Sequence, residues 1–212
     1  MLCENMHHWS RQFLFANRVC MDNFVSYKNY FLISSPAMQD PRFAGTVIYL
    51  CEHTASGAMG IVINRHGPMT LQTIFDRVGV ACIEPRFEDI FIYDGGPVQI
   101  GRGFILHNTG PVYSSTMKIS EEISLSTSKD VLEAIVAHEN EPDKFLLALG
   151  YSGWDAGQLE GEIDMGDWLL APAEAGIIFD TGIEDRYEAA LALIGLNKDE
   201  LASWTGGEVG HA

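Results

Sequence analysis

No run in this chain approaches the ~20 consecutive apolar residues of a membrane span, so no membrane passage is expected. Cysteine is scarce. Cys3, Cys20, Cys51 and Cys82 contain no CxxC pair, which excludes the usual zinc and redox spacings. Positive charge is scarce too: 13 Lys and Arg stand against 29 Asp and Glu, a formal net charge of −16. The cations are scattered singly from Arg42 to Lys198. A phosphate backbone binds by exchanging its counterions for clustered Lys and Arg, so direct nucleic-acid binding is not expected. HExxH, a Walker lysine and G-x-G-x-x-G are all missing. No metal and no cofactor are therefore expected.

What is present describes a globular protein. Hydrophobic residues make up 47% and charged residues 20%, enough apolar surface for a core without disulfide staples. An acidic chain without a disulfide framework suits a reducing cytosol. Cys51 follows the apolar run Val47 to Leu50 and reads as a small core residue. Residues 1–21 read as an extension or as a start placed too early, with Met21 as the first residue. Phe13-Leu14-Phe15 is too short for a signal sequence, and His7-His8 is too little for a metal tract. The body is expected over 22–205 and a frayed tail over 206–212.

Patterning predicts a mixed order of elements. Asn29 to Ser34 reads as a strand ended by Pro36 and Pro41. Thr46 to Glu52 and Ala58 to Asn64 read as a hairpin, each run apolar enough to be covered on both faces. Thr70 to Val78 reads as a helix capped by Thr70, closed by Gly79 and striped with Leu71, Ile74, Phe75 and Val78. Strands are expected at Glu88 to Tyr93, Arg102 to His107, Met117 to Leu125, Lys144 to Leu149, Trp168 to Ala171 and Ile177 to Phe179. Helices are expected at Ser128 to His138, Asp155 to Ile163 and Asp185 to Ile194, with a last one from Asn197. One α+β domain with a twisted mixed sheet fits this order.

Glycine, aromatic and polar residues concentrate in three stretches: Gly57 to Arg65, Tyr93 to His107 and Leu149 to Glu160. If strand ends converge, a binding surface would gather Glu52, His53, Asn64, Arg65, Asp94, Gly95, Gly96, Arg102, His107, Tyr151 and Trp154. Trp154 by itself reads as core, and Arg65 and Arg102 read as partners for the abundant carboxylates. Glu52, His53 and Asp94 are the residue types that general acid–base chemistry uses, which gives an enzyme as the alternative reading. No catalytic residue is assigned. Gly150-Tyr151-Ser152-Gly153 lacks the G-x-S-x-G spacing of a nucleophile elbow. A helix beginning near Asp155 would offer N–H groups to an anion, but Asp155 would itself occupy the cap.

Taken in order, these stretches resemble the YqgE/AlgH family of bacterial proteins. The matching pieces are Phe31-Leu32-Ile33 with Pro36 and Asp40, Glu52-His53, and Gly57-Ala58-Met59-Gly60-Ile61-Val62-Ile63-Asn64-Arg65. Gly95-Gly96-Pro97-Val98, Arg102-Gly103-Phe104-Ile105-Leu106-His107 and Leu149 to Trp154 with Gly157 to Glu160 follow. The likeness covers about residues 29–193. It implies a single α+β domain whose bent mixed β-sheet forms a pseudo-barrel with flanking helices. It implies no reaction. Some members carry the label of transcriptional regulator, yet no helix-turn-helix and no basic face support DNA contact here. A non-enzymatic binding or regulatory protein, with a protein or small-molecule partner, is the expectation.

Overall fold

The structure is a computed structural model that describes residues 24–82 and 84–205. The extension expected over 1–21, with Cys3 and Cys20, and the tail expected over 206–212 lie outside the described residues. In chain order the strands and helices are β1 (Tyr30–Ser34), β2 (Val47–Thr54), β3 (Gly57–Val62), β4 (His66–Thr70) and α1 (Leu71–Val78). There follow β5 (Phe91–Asp94), β6 (Val98–Asn108), β7 (Met117–Lys118), β8 (Ile123–Ser126), α2 (Asp130–Ala137) and β9 (Phe145–Asp155). The chain continues through α3 (Gln158–Asp164), β10 (Trp168–Pro172), α4 (Ala175–Phe179), α5 (Arg186–Ala192) and α6 (Lys198–Thr205).

The strands run β10-β1-β2-β3-β9-β6-β8-β7, with β4 paired to β5 and β5 parallel to β9. This is the bent sheet and half-barrel of a single α+β domain. Its organiser is β9. The C-terminal half pairs with β3 from Gly57↔Asp155 to Gly60↔Ser152. The N-terminal half lies between β6 and β5. Where β9 changes partners, backbone meets backbone. A Cβ on Gly95 would lie 2.3 Å from the Gly150 carbonyl oxygen, and one on Gly150 would lie 2.3 Å from that of Gly96. Gly150 also holds φ +73 and Gly96 φ +141, values that L side chains resist. The Gly95 N–H donates to Leu149 O at 2.8 Å and its carbonyl accepts from Val62 at 3.0 Å, sewing β3 to β9 through this crossing.

The apolar runs behave as their composition requires. Tyr49, Cys51, Ile61 and Ile63 enter the main core with Phe31, Phe104 and Leu106. Ile48, Leu50 and Val62, one residue out of phase, enter a second layer with Trp154, Leu159 and Trp168. Burial pushes the Cys51 thiol up, away from any reactive thiolate. Helix α1 begins where Thr70 Oγ1 accepts the Thr73 N–H and ends at Gly79 with φ +67. With α2 it covers a third cluster on the other face of β6 and β9.

Several elements depart from the sequence expectation. Strand β9 continues to Asp155, so the helix expected from Asp155 begins only at Gln158, with Gly157 as its N-cap and no side-chain cap. The pairing to β3 holds Asp155 in the ladder. Ile177 to Phe179, expected as a strand, lies in α4, since a three-residue apolar run fits either state and β10 already holds the edge beside β1. Met117 to Leu125 is two strands, because Ser120 Oγ accepts the Glu122 and Ile123 N–H groups and turns the chain. His66 to Thr70, for which patterning predicts no strand, is β4 paired with β5. Val78 was expected on the buried stripe of its helix but is 40% exposed.

Candidate functional site

A cleft of about 640 Å³ opens on the sheet face that carries the main core. Its apolar wall is Met59, Phe104, Met117, Leu125 and Tyr151, and its polar groups are Glu52, Gln99, Arg102, Ser115, Thr127 and Asp155. A β-bulge sets one edge. The β2–β3 register slips between Leu50 and Glu52. Cys51 faces the main core and Glu52 the cleft, while His53 faces away. Such a bulge re-aims a side chain without moving its strand.

Arg102 sits in a second and larger irregularity. The β6–β9 register steps from Val98↔Tyr151 to Gly103↔Leu149, so five residues of β6 span two of β9. The guanidinium lies 5.4 Å from the Phe104 ring centroid, and Phe104 meets Tyr151 edge-on at 5.5 Å. Arg102 donates to Gln99 Oε1 at 3.4 Å and Thr127 Oγ1 at 3.3 Å. It makes no ion pair among the described residues. Arg65 likewise binds a carbonyl, that of Arg42 at 2.7 Å. The carboxylate partners expected for both are replaced by neutral oxygens.

The other candidate residues go elsewhere. Glu52, Arg102, Tyr151 and Trp154 touch the cleft, but Trp154 is 7% exposed and packs chiefly in the second layer. His53 is buried on the opposite side. Its Nδ1 accepts the Tyr27 N–H at 2.8 Å, which leaves Nε2 to donate to Glu160 Oε1 at 3.2 Å. Tyr27 stacks on its ring at 5.5 Å. Asn64 is a staple: Oδ1 accepts from Val47 and Nδ2 donates to Gly45 O. Asp94 stands at the end of β5, its N–H donating to Arg65 O at 3.0 Å. Glu52, His53 and Asp94 therefore make no hydrogen bond to one another and face different surroundings. Gly95 and Gly96 form the strand crossing described above. Ser152 is fully buried, and its hydroxyl has no partner among the described residues, so nothing in solution reaches it. Among the described residues no cluster of His, Cys, Asp and Glu could hold a metal.

His107 is fully buried beneath Tyr113. Its Nδ1–H donates to Asn108 O at 2.9 Å, so Nε2 accepts from the Ser126 hydroxyl at 2.9 Å, which in turn accepts from Thr116. Burial lowers its proton affinity, partly opposed by the bond to Asn108. The folded value lies below the unfolded one of about 6.5. Its stabilisation is therefore complete above that value and is lost as pH falls through the folded value. The exposed His138, bonded to Glu141 and Glu84, is shifted upward and has the opposite sign. Its contribution is complete below about 6.5 and fades as pH rises. In a His138→Gln background the melting temperature is expected to fall between pH 7.5 and 5.5. His107→Asn should flatten that slope, and an unchanged slope would exclude His107 as its source.

The sequence did not single out Met59, Phe104, Met117 and Thr127, although the i, i+2 spacing of Arg102 and Phe104 on one strand face was a usable signal. Nor did it find Glu162. One oxygen of that carboxylate accepts both the Trp154 and the Trp168 indole N–H at 2.8 Å, and the other accepts Gln158 Nε2 at 2.9 Å.

Comparison with known proteins agrees with this architecture. A sequence profile of the family described as DUF179, AlgH-like, matches residues 31–199. A UPF0301 protein of Marinomonas sp. (strain MWYL1) is 46% identical over 188 residues, spanning 89% of this chain and 97% of the relative. One from Burkholderia vietnamiensis is 49% identical over 191 residues, spanning 89% and 96%. The solution structure of the AlgH protein from Pseudomonas aeruginosa superposes with a TM-score of 0.71 at 46% identity, covering 88% of this chain and 96% of that one. A Corynebacterium diphtheriae protein shares the fold alone, with a TM-score of 0.62 at 20% identity over 79% of this chain and 87% of that one. With the motifs, the sheet order and these relatives in agreement, the chain belongs to the AlgH-like family.

Proposed function

We propose that this chain is a non-enzymatic binding or regulatory protein of the cytosol, and that its ligand is a small amphipathic molecule held in the 640 Å³ cleft. The observation that carries this reading is Arg102: a guanidinium without a carboxylate partner, in a chain of net charge −16, set over Phe104, which in turn packs edge-on against Tyr151. A ligand anion meets Arg102, its apolar body meets the two rings and Met59, and a polar or cationic end meets Glu52 and Asp155. Ligand sites commonly combine an apolar wall with a few polar groups in this way. Regulation of transcription, the label some family members carry, would then run through the ligand or a protein partner, because the acidic surface repels nucleic acid. Among the described residues no helix is long and apolar enough to cross a membrane.

Native mass spectrometry of the gently purified protein, with Arg102→Ala and Tyr151→Ala beside it, tests the reading. The wild type is expected to retain a small-molecule mass. Losing the charge-assisted contact in Arg102→Ala should weaken retention about tenfold. Equal retention by all three folded proteins, or none by any, overturns it.

A further inference from the structure

On the opposite face of β6 from this cleft lies a second and tighter pocket, of about 260 Å³, between α1, α2 and the irregular segment of β6. Its walls are Met69, Ile74, Ile105, Leu132, Leu147 and Leu149. Two cations border it. The Arg77 side chain makes no hydrogen bond or ion pair among the described residues, and Lys129, the N-cap of α2, pairs only with Glu133 of that helix, at 3.1 Å, besides donating to Gly79 O at 3.4 Å. Two large apolar residues also line it while open to solvent, Val78 at 40% and Ile100 at 70% exposure.

Its glycines differ in kind from those of the strand crossing. Gly101 and Gly103 line the pocket, have no positive φ, and would place a Cβ within 4 Å of nothing. Neither packing nor backbone conformation requires glycine there. Its effect at these two positions is to leave the pocket open. An apolar chamber with solvent-open Val78 and Ile100, bordered by two cations in a strongly acidic protein, is suited to a narrow apolar occupant with a negative end.

We infer that this pocket is a binding site for the free carboxylate of a medium-chain acyl group, with the chain among Ile74, Leu132 and Leu147 and the carboxylate between Arg77 and Lys129. The volume is below the usual range for drug-sized ligands, roughly 300–1,000 Å³, so a single short chain fits and a two-chain lipid does not. The site is separate from the larger cleft and does not depend on the function proposed for it. Thr127 lines both.

The test is titration of the full chain with hexanoate, octanoate and decanoate, below their micelle concentrations, followed through the methyl resonances of Ile74, Leu132 and Leu147. Saturable shifts of those methyls are expected, with affinity rising about fourfold per added methylene until the chamber is full. Octanol, which has the chain without the charge, should bind at least fivefold more weakly than octanoate. Arg77→Ala should cost octanoate about fivefold, and Gly103→Leu, which fills the chamber, should abolish binding while leaving the rest of the spectrum folded. Gly101→Leu is the alternative plug should Gly103→Leu fail to fold. Octanol binding as tightly as octanoate overturns the inference. So does binding that survives a folded plug variant, or an absence of saturable shifts.

Discussion

Gly150→Ala is expected to destabilise the protein by about 4 kcal/mol. A left-handed φ costs a non-glycine residue about 1–3 kcal/mol, and Gly150 holds φ +73. The added Cβ would also stand 2.3 Å from Gly96 O and 3.1 Å from Val98 O. Both are backbone atoms, which cannot rotate away as a side-chain tip can. Relief would have to come from separating β9 from the Gly95-Gly96 segment, and that segment carries the Gly95–Leu149 and Val62–Gly95 hydrogen bonds. For a chain of this size each kcal/mol shifts the melting temperature by about 2–4 °C, so a loss of about 12 °C is expected by calorimetry. Gly101→Ala is the matched control. It meets nothing within 4 Å at an ordinary φ, and should melt within about 2 °C of the wild type. Equal melting of the two variants would mean that the crossing is not held closed by glycine.

The second large effect is expected at Glu162, whose carboxylate satisfies two indole N–H groups on different strands. Trp154 and Trp168 are 7% and 2% exposed and pack edge-on at 6.2 Å. Truncation to alanine strands both donors, and a buried donor left without an acceptor costs about 1–3 kcal/mol. Glu162→Ala should therefore lose about 3 kcal/mol, or about 9 °C. Tryptophan emission should shift to the red as water reaches the indoles. Glu162→Gln keeps a carbonyl oxygen for the indoles and gives up mainly the bond from Gln158, so it should lose about 1 kcal/mol with little change in emission. If Glu162→Ala melts like the wild type, water replaces the carboxylate at no cost and the clamp contributes nothing.

Both effects concern residues whose roles were only partly legible in sequence. Gly95, Gly96 and Gly150 are conspicuous as letters, and a site rich in glycine is a natural reading of them. Their purpose is a crossing of two segments more than 50 positions apart, where Cβ-to-backbone distances decide the matter. Glu52-His53 is a clearer case. Past the bulge the ladder is regular, and adjacent residues there point to opposite faces, so Glu52 and His53 do not serve one site together. Which member faces the cleft depends on the bulge at Cys51, and bulges leave no periodic signature. Arg102 stood out in the sequence as a candidate, but its partners did not, because Gln99 and Thr127 reach it only through the irregular course of β6.

Local patterning was enough for the hairpin β2–β3, for the span and caps of α1, for the burial of Cys51 and for the family. These follow from hydrophobic periodicity, capping chemistry and motif order, all read within a few residues of one another. The long strand β9, the aim of Glu52, the clamp at Glu162 and the two pockets on either side of β6 were decided by tertiary structure alone. Each depends on which distant segment becomes a neighbour, and a one-residue slip in a ladder exchanges one face for the other. Composition fixes how much apolar surface must be covered. The register between strands fixes which side chains are left to meet a ligand.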